Sequence, residues 1–264
     1  MSHSRYFAGR DEKNEEKLAH LLATLPPYCK DYFRGIRPAT TSMTRVAYAY
    51  DLSMFFTFLR NSPDASLRAI CEAERPECLS AITKQDVECY LEYLEGNGAS
   101  PDDGPRNRTQ GIRRRFSSLK SFLSYFCEAK AIPANPADAT RMPKLREKEI
   151  IRMDQDEMRE FLTELENGTG LCGKEIAYHG RFQVRDKAML SLMLGTGIRV
   201  SECVGLDLED IDLTKNAAHI QRKGGREATV YYNDEVKENL RVYLEERTGQ
   251  QAAAGHESAL FLSR

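Results

Sequence analysis

The sequence predicts a mainly α chain of two domains, the second carrying a small antiparallel β-sheet. Three observations lead there. Apolar residues recur at three- and four-residue steps through most of the chain, the spacing of helices with one buried stripe. Short strand-like runs joined by turn residues are confined to residues 207–232. Between the halves, residues 133–150 are Pro-containing, rich in Lys and Arg and aperiodic, as expected of an extended linker. With 264 residues, each half is long enough to bury its own core. The expected organisation is a helical extension over 1–25, a helical domain over 26–132, the linker over 133–150 and a second domain over 151–264.

The first helix covers 11–25, charged at first and apolar towards Leu21, Leu22 and Leu25, and Pro26-Pro27 starts a second that carries Tyr32, Phe33 and Ile36 until Pro38. From Ser42 to Leu59 a core helix is expected, with Met43, Val46, Tyr50, Met54 and Phe58 as its buried stripe. Residues 61–80 read as a long connection with a short helix near Leu67–Cys71. Thr83 and Asp86 have the spacing of a capping box for a helix bearing Val87, Tyr90, Leu91 and Leu94, stopped by Gly96. A basic helix follows, with Ile112, Phe116, Leu119, Leu123 and Phe126 as its apolar stripe and Arg113 and Lys120 aligned about a quarter-turn away.

In the second half, Asp154 and Glu157 cap a helix with Met158, Leu162 and Leu165, closed by Asn167-Gly168. Another helix, about Val184 to Leu194, leads into a Gly-Thr-Gly turn. Strand-like runs cover 207–213, 217–221 and 228–232, and Asn233 or Asp234 caps a last helix with Val236, Leu240, Tyr243 and Leu244.

The formal charge of −2 excludes a basic field over the whole molecule, so any nucleic-acid role must rest on local patches. One such patch exists: between Gly104 and Cys127 stand Arg106, Arg108, Arg113, Arg114, Arg115 and Lys120, with no Asp or Glu. A solvated helix face is the usual fate of such a run, but its freedom from acids and its alignment favour phosphate contact. Arg141, Lys144, Arg146 and Lys148 continue the cationic character into the linker. Seven cysteines without a C-x-x-C read as reduced, buried thiols, and five histidines match no metal spacing. No stretch reaches the roughly 18 apolar residues of a membrane span, and no signal-peptide pattern opens the chain, so a cytoplasmic protein without a membrane partner is expected.

Residues 194–202, Leu-Gly-Thr-Gly-Ile-Arg-Val-Ser-Glu, hold Arg199 on a tight turn, and Lys223 follows 24 residues later within Arg222-Lys-Gly-Gly-Arg226, between two strand-like runs. A guanidinium can grip two oxygens of a phosphodiester, and an ammonium on a hairpin tip can reach the same group as point charge or proton donor. Taken alone, Arg199 could instead cap a helix, Glu202 could merely favour a helix dipole, and Lys223 could be a solvated tip.

These residues resemble the tyrosine recombinase, or phage integrase, family. The resemblance is carried by Arg185 to Leu190, Gly195-Thr-Gly-Ile-Arg-Val-Ser-Glu202, Gly205-Leu206, Asp210-Ile211 and the hairpin with Lys223. In the first half Thr44, Tyr48, Asp51, Leu52, Phe55 and Leu59 resemble the first long helix of the family's SAM-like core-binding domain, and Ile112 to Phe126 with Asn135-Pro136 its last helix. The resemblance implies two domains that clamp duplex DNA at a specific recombination site, and strand breakage and rejoining through a 3′-phosphotyrosine, with no metal or nucleotide cofactor. It implies Arg199 and Lys223 as catalytic, Glu202 as their support, and Arg106, Arg108, Arg113, Arg114, Arg115, Lys120, Lys144, Arg222 and Arg226 as DNA contacts. A homotetramer on DNA is implied for the full-length form.

The sequence departs from the family after the hairpin. There the family carries a His-x-x-Arg box, a second His or Trp and the nucleophilic tyrosine, and none can be assigned before Arg264. Ala259 to Arg264 resembles the segment before the helix that leads to the His box, so the expectation is a catalytic domain truncated there and inactive alone. A non-catalytic relative that occupies recombination sites is the alternative, and a helical scaffold for a protein partner a third reading.

Overall fold

The computed structural model describes residues 5–97, 105–144, 152–222 and 225–263, apart from the side chains of residues 5, 6, 97, 105–108 and 155. It is mostly helical, with one three-stranded antiparallel sheet in the order β1-β2-β3. The chain divides into two compact units, Asp11–Glu149 and Ile150–Arg264, with Met1–Arg10 grouped with the latter.

The first unit is built from the part of α1 (Arg5–Leu22) after Arg10, α2 (Cys29–Ile36), α3 (Ser42–Arg60), α4 (Ala65–Ile70), α5 (Lys84–Asn97) and α6 (Pro105–Glu128). α1 starts six residues earlier than the sequence suggested. The capping box forms as expected: the Thr83 backbone N–H donates to Asp86 Oδ2 at 2.8 Å and the Asp86 N–H to Thr83 Oγ1 at 3.3 Å. α6 also obeys its expected stripe, with Ile112, Phe116, Leu119, Leu123 and Phe126 buried, and Phe122 joins them. The Phe122 ring lies 5.2 Å from both Tyr32 and Phe126 and 6.1 Å from Phe56, edge to face in each case. Such aromatic clusters bury large area in specific geometry, which fixes α2, α3 and α6 against one another.

α3 corrects the expected stripe. Met43 and Tyr50 are 54% and 56% exposed, while the core face is made by Val46, Ala49, Leu52, Phe55, Phe56 and Leu59. The helix carries apolar residues nearly all round, so its periodicity admits more than one face; α5 and α6 select the one richest in phenylalanine. Of the stretch 133–150, Asn135 is buried and caps a short 3-10 turn, Pro136–Ala139, and its side-chain amide donates to Lys120 O and Ser124 Oγ on α6.

The second unit holds α7 (Gln155–Asn167), α8 (Lys174–Thr196), α9 (Val200–Cys203), β1 (Ile211–Asp212), β2 (Ala217–Gln221), β3 (Glu227–Tyr231) and α10 (Asp234–Thr248). The Asp154–Glu157 capping box and the Asn233 cap on Val236 N–H are both present. α8 begins ten residues before the expected start: Gly173 immediately precedes it, and Gly180 is carried within the helix. The first strand shrinks to two residues because Asp207 and Asp210 close a 3-10 turn over 208–210, with Asp210 Oδ2 accepting from the Asp207 N–H at 2.8 Å.

β2 pairs with β3 in the register His219↔Thr229, and β1 with β2 in the register Ile211↔Ala218. Ala218 and Ile220 of β2 meet Leu192, Leu206, Leu240 and Leu260 in the core. α8 and α10 approach closely: a Cβ on Gly195 would stand 2.8 Å from Val236 Cγ2. The segment before the last residue is also pinned, since Leu260 N–H donates to Leu206 O and Arg185 Nη1 to Leu262 O.

The cysteines correct another expectation. All seven are free thiols, but only Cys29 and Cys203 are buried, and Cys89 and Cys172 are exposed. Burial pushes the Cys203 thiol up to about 12, which leaves it an inert core group at neutral pH. Among the described residues no helix is long and apolar enough to cross a membrane.

Candidate functional site

The Gly-Thr-Gly segment is a helix end rather than a free-standing turn. α8 runs through Thr196, and Gly197 takes φ +70°, a left-handed conformation that glycine adopts without a Cβ penalty, donating its N–H to Met193 O at 2.8 Å. Ile198 then plugs into the core at 6% exposure, and Arg199 is the residue before α9. Two short-range devices thus fix the Arg199 backbone.

A third fixes its side chain. Glu202 on α9 is 5% exposed, yet its Oε2 accepts the Arg199 backbone N–H at 2.9 Å and its Oε1 accepts from Arg199 Nη1 at 3.0 Å. The Arg199 side chain itself is 69% exposed. One guanidinium nitrogen is tied down, and the remaining donors of the planar fork face outwards, the arrangement suited to two oxygens of one tetrahedral anion. The two readings of Glu202, as an acid in a first helical turn and as the partner of Arg199, are therefore the same interaction.

The β2–β3 hairpin supplies more cation. Arg222 N–H donates to Arg226 O at 2.7 Å and Gly225, at φ +77°, donates to Arg222 O at 3.1 Å, which leaves both arginine side chains exposed at the tip. Lys223 lies outside the described residues. Glu202, Gly205, His219, Gln221 and Thr229 line a common cavity of about 560 Å³, so the Arg199 turn and the hairpin border the same depression. Asp207, Glu209, Asp210 and Glu227 also line it, which disfavours an anion inside. His219 Nδ1 meets Thr229 Oγ1 at 3.0 Å, and among the described residues no cluster could hold a metal ion.

On α6 the cations are placed less simply than their alignment suggested. Arg113 Nη1 donates to Pro143 O, Lys120 pairs with Asp138 at 2.8 Å, and Arg114 Nη1 pairs with Asp51 Oδ2 at 2.6 Å. Arg115 is partly buried and Lys144 and Arg141 are exposed. The side chains of Arg106 and Arg108 lie outside the described ones, as do Arg146 and Lys148. Sequence reasoning missed Asp51 and Asp138 as partners of the basic helix. The available signal was Asp51 itself, an acid set beside Leu52 within the apolar face of α3.

Comparison with known proteins gives these features a family. Residues 151–264 match the Phage integrase family. Over the longer chain, the tyrosine recombinase XerS of Streptococcus agalactiae is 27% identical, with 94% of this chain and 75% of the relative aligned. The tyrosine recombinase XerC of Caldanaerobacter subterraneus subsp. tengcongensis is 29% identical, with 90% of this chain and 64% of the relative aligned. Among solved structures, the Tn1549 transposon integrase in complex with a circular intermediate DNA shares the fold with a TM-score of 0.58 at 16% identity, over 91% of this chain and 72% of that one. A lambda integrase tetramer bound to a Holliday junction does so with a TM-score of 0.57 at 18% identity, over 88% and 60% respectively. Residues 151–264 belong to the Phage integrase family, and the chain as a whole is similar to tyrosine recombinases over most of its length.

Proposed function

We propose that this chain acts in site-specific DNA recombination, with Arg199 gripping the phosphate at which the strand is broken. The observation that carries the reading is the Arg199–Glu202 pair, in which a buried carboxylate holds an outward-facing guanidinium. The family membership and the DNA-bound relatives support it.

The chemistry follows from what a phosphodiester requires. As a tyrosine oxygen bonds to phosphorus, negative charge builds on the non-bridging oxygens, and donors already aimed at them lower the barrier. Arg199 supplies those donors without reorganising, because Glu202 orients it beforehand. The bond from phosphorus to the 5′ oxygen then breaks, and that oxygen takes a proton, the role assigned to Lys223. The phosphotyrosine keeps the bond energy, so the 5′ hydroxyl can attack in reverse and rejoin the strand without ATP. In the first unit, α6 and Lys144 supply the backbone contacts that seat the duplex, with Arg106, Arg108, Arg113, Arg114, Arg115 and Lys120 as its cations and Arg222 and Arg226 serving from the hairpin. A homotetramer on paired sites is the working assembly in this reading, as in the lambda integrase complex.

None of the twelve tyrosines is assigned as nucleophile. Burial pushes the Tyr28, Tyr32, Tyr90 and Tyr243 phenols up and Tyr232 to about 12, which makes each a poorer source of phenolate than a free tyrosine.

Covalent trapping on a nicked duplex separates recombination from simple site occupancy. The 264-residue chain should bind the duplex without forming an adduct; a gene product that carries a His-x-x-Arg box and a further tyrosine should be trapped on the 3′ end, and Arg199→Ala should abolish the trapping. An adduct formed by the 264-residue chain would make one of its own twelve tyrosines the nucleophile. A native gene product that binds the site and is never trapped would favour the occupancy reading.

A further inference from the structure

Beneath the basic helix lies a buried acid that the proposed chemistry leaves unused. Asp51 of α3 is 2% exposed, and its Oδ2 accepts from Arg114 Nη1 of α6 at 2.6 Å. The Arg114 side chain is 48% exposed, so the pair has one end in the core and the other in solvent. Arg115 and Ser118, also on α6, face the same carboxylate, and Tyr90 of α5 stands near it with a buried hydroxyl that finds no hydrogen-bond partner among the described residues.

The pair is a poor device for stability. Burial outweighs both arginines and the Ser118 hydroxyl and raises the Asp51 carboxyl from 3.8 to about 6. Because the folded value is raised, the group favours folding most when protonated; that contribution is lost as pH rises through about 6, so at neutral pH the ionised acid opposes folding. An apolar residue of similar volume would hold α3 to α6 at less cost. What the carboxylate does supply is direction. It ties one nitrogen of Arg114 and leaves the other donors of the fork aimed out of α6, beside Arg115. The Lys120–Asp138 pair on the same helix lacks this property, since both side chains are largely exposed, at 44% and 59%.

We infer that Asp51 is a positioning residue that holds Arg114 ready for a DNA backbone phosphate, in the way Glu202 holds Arg199. The inference rests on the reading that α6 faces DNA. An arginine ordered before binding has less rotamer freedom left to lose, and a phosphate met by a fixed fork sets the register of the protein on the duplex.

The test uses the full chain and a pool of fluorescent mixed-sequence duplexes. Asp51→Asn keeps the shape and removes the buried charge, so folding should be retained or improved. Its affinity should nonetheless fall about tenfold at pH 7.5, Arg114→Met should fall at least as far, and the double variant no further than Arg114→Met. Lowering the pH from 7.5 to 5 should weaken the binding of the unaltered chain relative to Asp51→Asn, while unfolding measurements show the unaltered chain gaining stability relative to Asp51→Asn over that interval. A merely structural Asp51 would move the stability and leave the affinity profile unchanged. If Arg114→Met weakens binding and Asp51→Asn binds as tightly as the unaltered chain, or more tightly, Asp51 does not position Arg114. If neither variant alters binding, α6 does not face DNA and both the inference and the reading beneath it fall.

Discussion

Raising monovalent salt from about 50 to about 200 mM should weaken the binding of this chain to duplex DNA on the order of a thousandfold, the loss expected when six or more phosphates are neutralised. The formal charge of −2 makes this informative, because a chain without a net positive field has no general attraction to a polyanion. The slope must come from local cations, chiefly α6 and the hairpin arginines. Affinity measured by fluorescence anisotropy across a salt series checks it. A shallow slope would mean that most of the α6 cations stay with Asp51, Asp138 and the Pro143 carbonyl instead of meeting phosphate.

Phe122→Ala should have the largest effect on folding. The side chain is fully buried, with Tyr28, Tyr32, Phe56 and Phe126 all within ring contact. Losses of about 3 to 5 kcal/mol follow from removing such a ring. Denaturant unfolding of the first unit should show a lower midpoint with an unchanged slope, and DNA binding should fail with it because α6 loses its seat. A shift under about 1 kcal/mol would mean that the aromatic cluster can repack around the gap.

The legible parts of the fold were those written in local chemistry. Capping pairs such as Thr83–Asp86 and Asp154–Glu157, and the stripe from Ile112 to Phe126, depend on residues a few positions apart, and the structure forms them as read. Where tertiary partners decide, the sequence was ambiguous. α3 offers more than one apolar face, and only α5 and α6 determine that Leu52 and Phe55 go in while Met43 and Tyr50 stay out. The expected strand over 207–213 mostly became a turn, since Asp207 and Asp210 satisfy each other's backbone locally and leave Ile211 and Asp212 to pair with β2.

The site shows the same division. Arg199 and Glu202 sit three residues apart and could be recognised together, and the structure adds that the carboxylate is buried and holds both the backbone and the guanidinium. The Asp51–Arg114 pair spans 63 positions, so no local pattern could announce it. Both pairs place an arginine fork in solvent above a buried acid, one in each unit.

The claim that Arg199 grips one particular phosphate can be tested by ethylation interference on duplexes enriched by this chain from a random pool. Comparing the unaltered chain with Arg199→Ala, the account predicts that interference disappears at a single phosphate in each bound site and persists at the others. An identical pattern from both proteins would place Arg199 away from the DNA backbone and contradict the account.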